Sequence, residues 1–550
     1  MKKHVKYTAV IIAAAIIFLL AAPFSNAQYQ MPDVIKVGLY FKDTSAHTNT
    51  ALASFNVSAA SGLQIGFFMD NAFTELYNEP TSSLLTVRKD AWFTNTNGVL
   101  KEFTPAGGST PAGENFGPYH IKIGGDCPDL QAVNAQVQAL GQQGIKAYPA
   151  YADAWQVWTG AYTDEASAAG DIANFTSLLG GVQCALVQPS PNGIAVTDAS
   201  NNVLCIFGSS TALFRVQPGQ ENNPRVFTIN KVPYRGSLEV TRLQTSDMTV
   251  VNVLAMREYL YGNVPPEIGG SAPLEAVKAQ ALVSKMYAVN NLGKHKKTGF
   301  DLTASVSDQV YKGYSSERPG YNSSIDEVAD KLITYNGEIA DEIFYFSSSG
   351  GRTEDVKNVW GSSYPYLVSV EDKYERIYSW TKTLRASDVK ARIPNIGNIL
   401  GMDITRIAES GRVTQLAVRG DRGGDPKRLE LEDCRTVLGL DSQLYTFTTD
   451  ADVYVSPVAS APAKTQLGGK TVLSAAGTKK LGAGNNKVTV LGAGDQKKTV
   501  ALVPETYTFS GKGWGHAVGM SQEGAIGMGK AGIKYDEIVT HYFTGTKVVQ

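Results

Sequence analysis

At 550 residues and 43% hydrophobic content, the chain is long enough to bury several cores, and length alone points to roughly two to four domains. Its 50 Lys and Arg balance 51 Asp and Glu, which argues against nucleic acid as a partner, since such proteins carry a marked basic excess. Charged residues make up only 18%, while glycine and tyrosine are plentiful, a profile that suits a β-rich exported protein with many turns and sugar-compatible surfaces.

The N-terminus reads as an export signal over residues 1–27. Lys2, Lys3 and Lys6 precede an apolar run from Ala9 to Ala22, and Ser25-Asn26-Ala27 supplies small residues for cleavage. The run is short for a membrane span and is followed by Pro23, so the mature chain is expected to start near Gln28, outside the membrane and without a stable span. The cysteines are Cys127, Cys184, Cys205 and Cys434; the first two could pair or remain buried thiols. No CxxC or HExxH spacing occurs, so neither a bound metal nor another cofactor is expected.

Residues 34–100 alternate apolar and polar between Gly- and Asn-rich turns and predict strands, which assigns 28–104 to the N-terminal β part of a larger domain. Pro105 to Gly113 has linker composition. The rhythm then changes over 117–187. Tyr119–Gly124 predicts a strand, Leu130–Leu140 a helix, Ile145–Tyr151 and Trp155–Gly160 two strands, Asp164–Leu179 a helix and Val182–Val187 a strand. That is a βαββαβ order of ferredoxin-like type. Strand patterns resume from 192 to 252, so the block is expected to be inserted into the larger domain rather than appended to it.

The stretch from Val264 to Tyr287 is the one around which the remaining chain is organised. Pro265-Pro266 and Gly269-Gly270 bracket Glu267, and helical spacing of Leu274, Val277, Ala281, Lys285 and Ala288 comes next, with Pro273 in the first turn. Glu267 is expected on a loop after a short helical turn at Arg257–Tyr261. It is either a positioned general acid or an ordinary turn residue. Strand regions are predicted over Asp301–Tyr311, Ile339–Phe346 and Val413–Arg419, a helix over Ile325–Lys331, and helix or turn at Ala386–Arg392 and Asn398–Leu400. This stretch belongs to a unit spanning 192–455. Residues 456–503 form a further segment, opened by a Pro/Ala/Ser linker, in which LGAGNNKVTV (481–490) and LGAGDQKKTV (491–500) predict a β-hairpin insert. Residues 504–550 close the larger domain with a helix and a strand. They carry Gly511-Lys512-Gly513-Trp514-Gly515-His516, where the glycines either admit a ligand beside Trp514, His516 and Gln522 or pack a structural turn under a core histidine. Ser347-Ser348-Ser349-Gly350-Gly351 lacks the G-x-S-x-G elbow of a serine nucleophile, so its hydroxyls are read as lining a polar groove.

Several of these stretches, in order, resemble the SpoIID/LytB family of exported bacterial cell-wall proteins. They include YRGSLEV (234–240), VVNVLAMREYLYGNVPPEI (250–268), PLEAVKAQALVSKMYA (273–288), DQVYKGY (308–314), FYFSSSGGRTEDV (344–356), WGSSYPYLVSVED (360–372) and GWGHAVGMSQEGAIGMGKAGIKYDEIVTHYFTG (513–545). The resemblance implies an α+β, multidomain, β-rich protein that acts as a lytic transglycosylase on peptide-free glycan strands of peptidoglycan. It makes Glu267 the catalytic acid/base, with Lys285, Gln309, Tyr311, Ser348, Ser349, Gly350, Trp514, His516 and Gln522 as substrate contacts. The LytB side of the family implies the rival role of a non-catalytic enhancer of a cell-wall amidase. Residues 117–187 resemble the SPOR domain through Trp155, Val157, Gly160, Tyr162 and the Asp164-Glu165-Ala166 helix start, which implies a glycan-binding face at Tyr119, Trp155, Trp158 and Tyr162. The chain departs from the family pattern at Lys285, where relatives carry Arg, and at Ala517, where they carry Gly.

Overall fold

The alternating segments of residues 34–255 build two large sheets, beside a three-stranded and a two-stranded one. In the first, the strands run in the order Leu302–Thr303, Val34–Tyr40, Met248–Ala255, Ser237–Arg242, Leu213–Pro218, Leu63–Met69 and Ala72–Glu79. Met248–Ala255 lies between two neighbours and is buried on both faces, which explains its near-continuous apolar sequence. The second sheet has ten strands. Phe67 and Phe214 of the first sheet meet Tyr151, Trp155 and Phe207 of the second, with Phe67 stacked 4.0 Å from Tyr151. The computed structural model describes residues 32–550 apart from 44–47, 71, 106–109, 220–223, 243–246, 423–425, 456–460, 475–476, 482–486, 492–493 and 495. The export signal therefore lies outside the described residues, as do parts of both predicted linkers and of the 481–490 repeat. Among the described residues strand accounts for 40% and helix for 21%, so the fold is β-rich with some helices. Among the described residues no helix is long and apolar enough to cross a membrane.

Residues 117–187 run strand, helix, strand, strand, helix, strand: Tyr119–Ile123, Leu130–Gln142, Ala147–Tyr151, Trp155–Tyr162, Glu165–Leu178 and Cys184–Val187. Asp129 and Asp164 cap the helices by accepting from the backbone N–H of Ala132 and Ser167. Both helices cover one sheet face, where Ile121, Ile123, Val157 and Cys184 form a core. The sheet does not end at the segment boundary. Ala147–Tyr151 pairs in parallel with Val203–Phe207, so these strands extend the ten-stranded sheet. All four cysteines are free thiols, and Cys127 donates to Gln136 at 3.5 Å.

Further along the chain, several elements differ from the sequence expectation. The region 301–311 holds only the strand Leu302–Thr303, because Asp308 accepts from Thr303 N–H and pairs with Lys294 and His295, which turns the chain into a loop. The helix expected at 325–331 is Pro319–Asp326: Pro319 opens it, where a missing N–H costs little. The strand expected at 339–346 is split into Glu338–Ile339 and Tyr345–Phe346. Asn398–Leu400 leads into the strand Ile399–Ile407. Lys487–Leu491 and Lys497–Ala501 pair antiparallel as a hairpin.

Candidate active site

The Met256–Ile268 helix runs through both prolines, so Glu267 sits in its last turn and not on a loop. Helix Leu274–Asn290 follows, with Pro273 as its N-cap residue and not inside its first turn. The diproline does more than stiffen the chain. Pro266 has no N–H to give to the carbonyl of Gly262 four residues earlier. That carbonyl instead accepts from Lys312 N–H at 3.1 Å and from the Ser316 hydroxyl at 3.0 Å. The Asn263 amide donates to the Val310 carbonyl at 3.0 Å. Loop 308–316 is thereby fastened along the helix. A Cβ on Gly262 would lie 2.6 Å from the Tyr311 ring, so only glycine permits this approach.

The fastened loop delivers a donor to the acid. Val310 N–H donates to one Glu267 oxygen at 2.6 Å, and the Gln522 amide donates to the other at 3.3 Å. The Tyr345 hydroxyl also bonds to the carboxylate. Tyr345 in turn accepts from the Gln309 amide at 3.1 Å, and the Gln309 carbonyl accepts from the Tyr259 hydroxyl at 2.9 Å. Gln309 therefore orients the Tyr345 proton toward Glu267. Glu267 is half-buried and makes no ion pair among the described residues. Burial raises its pKa above the ordinary glutamate value, and the three hydrogen bonds oppose that rise without cancelling it. Burial and the adjacent Glu267 charge push the Tyr345 phenol well up, so it remains a donor.

The other expected contacts fall into distinct places. Gln522 touches Glu267, and Gln309 is fully buried one step behind it. Tyr311 is a core residue: it stacks on Tyr259 at 5.3 Å, and its hydroxyl donates to Asn252 at 2.8 Å. Lys285 is 1% exposed and donates to the backbone carbonyls of Val328, Ala329 and Lys331, so it closes a turn and does not face a substrate. Burial lowers its pKa to about 8. Ser348 and Ser349 are also buried. Ser349 N–H and Gly351 N–H donate to Glu375 at 2.7 and 2.8 Å, and the Ser348 hydroxyl reaches it at 3.4 Å. Gly350 adopts φ +75°, and a Cβ there would crowd Leu444 and Lys512. His516 packs against Trp360 and Phe346, its Nδ1 accepts from Val518 N–H at 3.1 Å, and burial pushes its pKa down to about 4, so it is a neutral packing residue. Trp514 is half-exposed beside Tyr378, and its backbone pairs with Ser348.

The 344–349 and 513–522 segments meet because Tyr345–Phe346 pairs in parallel with Met520–Ser521. That pairing brings Tyr345 and Gln522 to the same carboxylate. Tyr345 and the Val310 backbone were not among the expected contacts. The aromatic Phe344-Tyr345-Phe346 run ahead of the serines was the only sequence signal for the first, and a backbone donor leaves no signal in residue type.

In the 117–187 segment, strand alternation separates the expected aromatic face. Trp155 meets Tyr151 at 5.2 Å and Phe67 at 5.8 Å, and the Tyr162 hydroxyl donates to Asp171 on the second helix. Trp158 points to the opposite face, stacks on His120 at 5.3 Å and lines a cavity of about 320 Å³ with Lys122, Gln156, Gln188 and Asp90. Tyr119 is half-buried next to Trp92. These side chains do not form one face.

Residues 244–335 match the family model for the stage II sporulation protein SpoIID. The chain is 31% identical over 302 residues to a protein of Bacillus subtilis named amidase enhancer, a match covering 52% of this chain and 40% of that relative. It is 27% identical over 329 residues to stage II sporulation protein D of the same organism, covering 56% and 77% of the two chains. An uncharacterized protein of Brachyspira hyodysenteriae is 27% identical over 331 residues, covering 59% and 74%. The acid helix, the loop that feeds its carboxylate and the long helix behind it all lie within the segment that matches the SpoIID family model.

Proposed function

We propose that this protein is an extracytoplasmic lytic transglycosylase acting on peptide-free glycan strands of peptidoglycan, with Glu267 as the single acid/base. The observation that carries this reading is a half-buried carboxyl with raised pKa, held by three donors and no cation. Protonated Glu267 donates its proton to the oxygen joining N-acetylmuramic acid C1 to N-acetylglucosamine, and the C1–O bond breaks. The muramic C6 hydroxyl oxygen then bonds to C1, and the Glu267 carboxylate takes that hydroxyl's proton. A 1,6-anhydro end and a free hydroxyl result, the acid is regenerated, and no water is consumed. An internal nucleophile removes the need for a second carboxylate at the spacing of a hydrolase. Residues 117–187 are read as a SPOR-like glycan-binding segment that keeps the strand near the acid.

The name of the Bacillus subtilis relative favours a second reading, a glycan-binding enhancer of a cell-wall amidase. Purified protein incubated with peptide-free strands, followed by mass spectrometry, separates the two. Transglycosylase activity yields 1,6-anhydromuramic ends that disappear in Glu267→Gln, a loss of at least about a hundredfold. No such ends, together with stimulation of an added amidase by both wild type and Glu267→Gln, would replace the first reading with the second.

A further inference from the structure

Loop 372–378, Asp-Lys-Tyr-Glu-Arg-Ile-Tyr, divides its side chains between two environments. Asp372 and Glu375 are buried at 2% and 9% exposure, whereas Lys373, Tyr374, Arg376, Ile377 and Tyr378 all face solvent. The two acids act as anchors. Glu375 accepts from Ser349 N–H, Gly351 N–H and the Ser521 hydroxyl, the last at 3.1 Å. Asp372 accepts from the Tyr542 hydroxyl at 2.9 Å, and its N–H donates to the Gly351 carbonyl. Gly513 N–H closes the far end on the Tyr378 carbonyl at 2.7 Å. A loop fixed at both ends presents its exposed side chains already ordered, which lowers the entropic cost of binding.

The exposed side chains form an aromatic and basic ledge. Trp514 is 51% exposed, Ile377 47%, Tyr374 39% and Tyr378 38%, with Tyr378 and Trp514 5.2 Å apart. Lys373, Arg376 and Lys512 stand exposed around them and make no ion pair among the described residues, although Lys373 lies over the Tyr374 ring. Glu371 and Asp441 lie at the edges, the latter touching the Tyr378 hydroxyl at 3.4 Å. Hydrogen bonds and the chain link the ledge to the acid: Glu375 holds Ser521, and the next residue, Gln522, bonds to Glu267. Trp514 pairs with Ser348, three residues along from Tyr345, a chain length of at most about 11 Å.

We propose that loop 372–378 and Trp514 hold the glycan strand flanking the cleaved bond, with Tyr374, Tyr378 and Trp514 against pyranose faces and Lys373, Arg376 and Lys512 paired with the lactyl carboxylates of muramic residues. The proposal rests on the reading of Glu267 as the acid for that strand. It also gives a physical basis for preferring peptide-free glycan. A stem peptide ties up the lactyl carboxylate as an amide, whereas its removal leaves one negative charge on each muramic residue. Aromatic faces bind sugar irrespective of that charge, and the three cations discriminate.

The test uses the full chain carrying Glu267→Gln and measures binding to peptide-free strands, to the same strands with carboxylates converted to methyl amides, and to neutral chitooligosaccharides. Adding Lys373→Gln, Arg376→Gln and Lys512→Gln should weaken binding to peptide-free strands by about tenfold at low salt and leave binding to the two neutral ligands unchanged. Adding Trp514→Ala and Tyr378→Ala instead should weaken all three. Equal affinity of the charge variant and its parent for peptide-free strands would overturn the ledge proposal, even with anhydro products from wild type. Absence of anhydro products, with charge-dependent binding intact, would overturn the acid reading and leave the ledge standing.

Discussion

Tyr345→Phe isolates one hydrogen bond at the candidate acid. The ring, its edge contact with Tyr287 at 6.4 Å and the backbone pairing with Met520 are retained, while the hydroxyl that reaches Glu267 is lost. Gln309 keeps its bond to the Ser284 carbonyl, so the network behind the site loses one member and does not collapse. A hydrogen bond to an ionised group contributes about 1.5–3 kcal/mol when buried. Glu267 is only half-buried, and a discount for solvent leaves about 1.4 kcal/mol, or one pKa unit. The lost bond stabilised the ionised carboxylate, so its removal raises the pKa further. The reaction begins from protonated Glu267, and kcat/KM should fall as pH rises through that pKa. Tyr345→Phe should therefore move the alkaline limb up by about one unit while lowering the plateau through poorer positioning. The assay is the rate of anhydromuramic-end formation against pH, in both variants, at limiting substrate. An alkaline limb that stays put or moves down would refute the argument that this phenol holds the ionised acid.

Two further predictions concern glycine positions. Gly262→Ala, favourable by helix propensity alone, should instead destabilise by about 1–3 kcal/mol in chemical denaturation, because the new methyl meets the Tyr311 ring. The same change should cut turnover by displacing Val310, and a stability gain would show that the loop can retreat without cost. Ala517 occupies φ +67°, a region that favours glycine, so Ala517→Gly should stabilise the protein by about 1 kcal/mol, as read from the denaturation midpoint. A decrease would mean that the methyl's buried contacts outweigh the backbone strain.

Much of the local structure was legible from residue order because it depends on neighbours in sequence. Strand alternation over 34–100 and the strand and helix order of 117–187 rest on periodicity, which operates over a few residues. The ordered motifs singled out Glu267 among 51 acids. Residue type alone did not distinguish a side chain that faces a groove from one that supports it. Lys285, Tyr311, Ser348 and His516 carry polar atoms that a substrate could use, yet the fold commits those of Lys285, Tyr311 and Ser348 to buried partners and packs His516 among aromatic rings, with Nδ1 bonded to Val518 N–H. Trp155 and Trp158 sit three residues apart, and the pleat of a paired strand sends them to opposite faces.

Sequence by itself determined that an acid lies between a diproline and a diglycine, before a long helix. Only the tertiary structure decided what that acid touches. Pro266 leaves the Gly262 carbonyl open, loop 308–316 takes it, and the loop's Val310 N–H then reaches Glu267 from 43 residues away. Gln522 arrives from 255 residues away by strand pairing. Partners so distant in sequence are set by which sheets and helices pack together, and no local pattern encodes that.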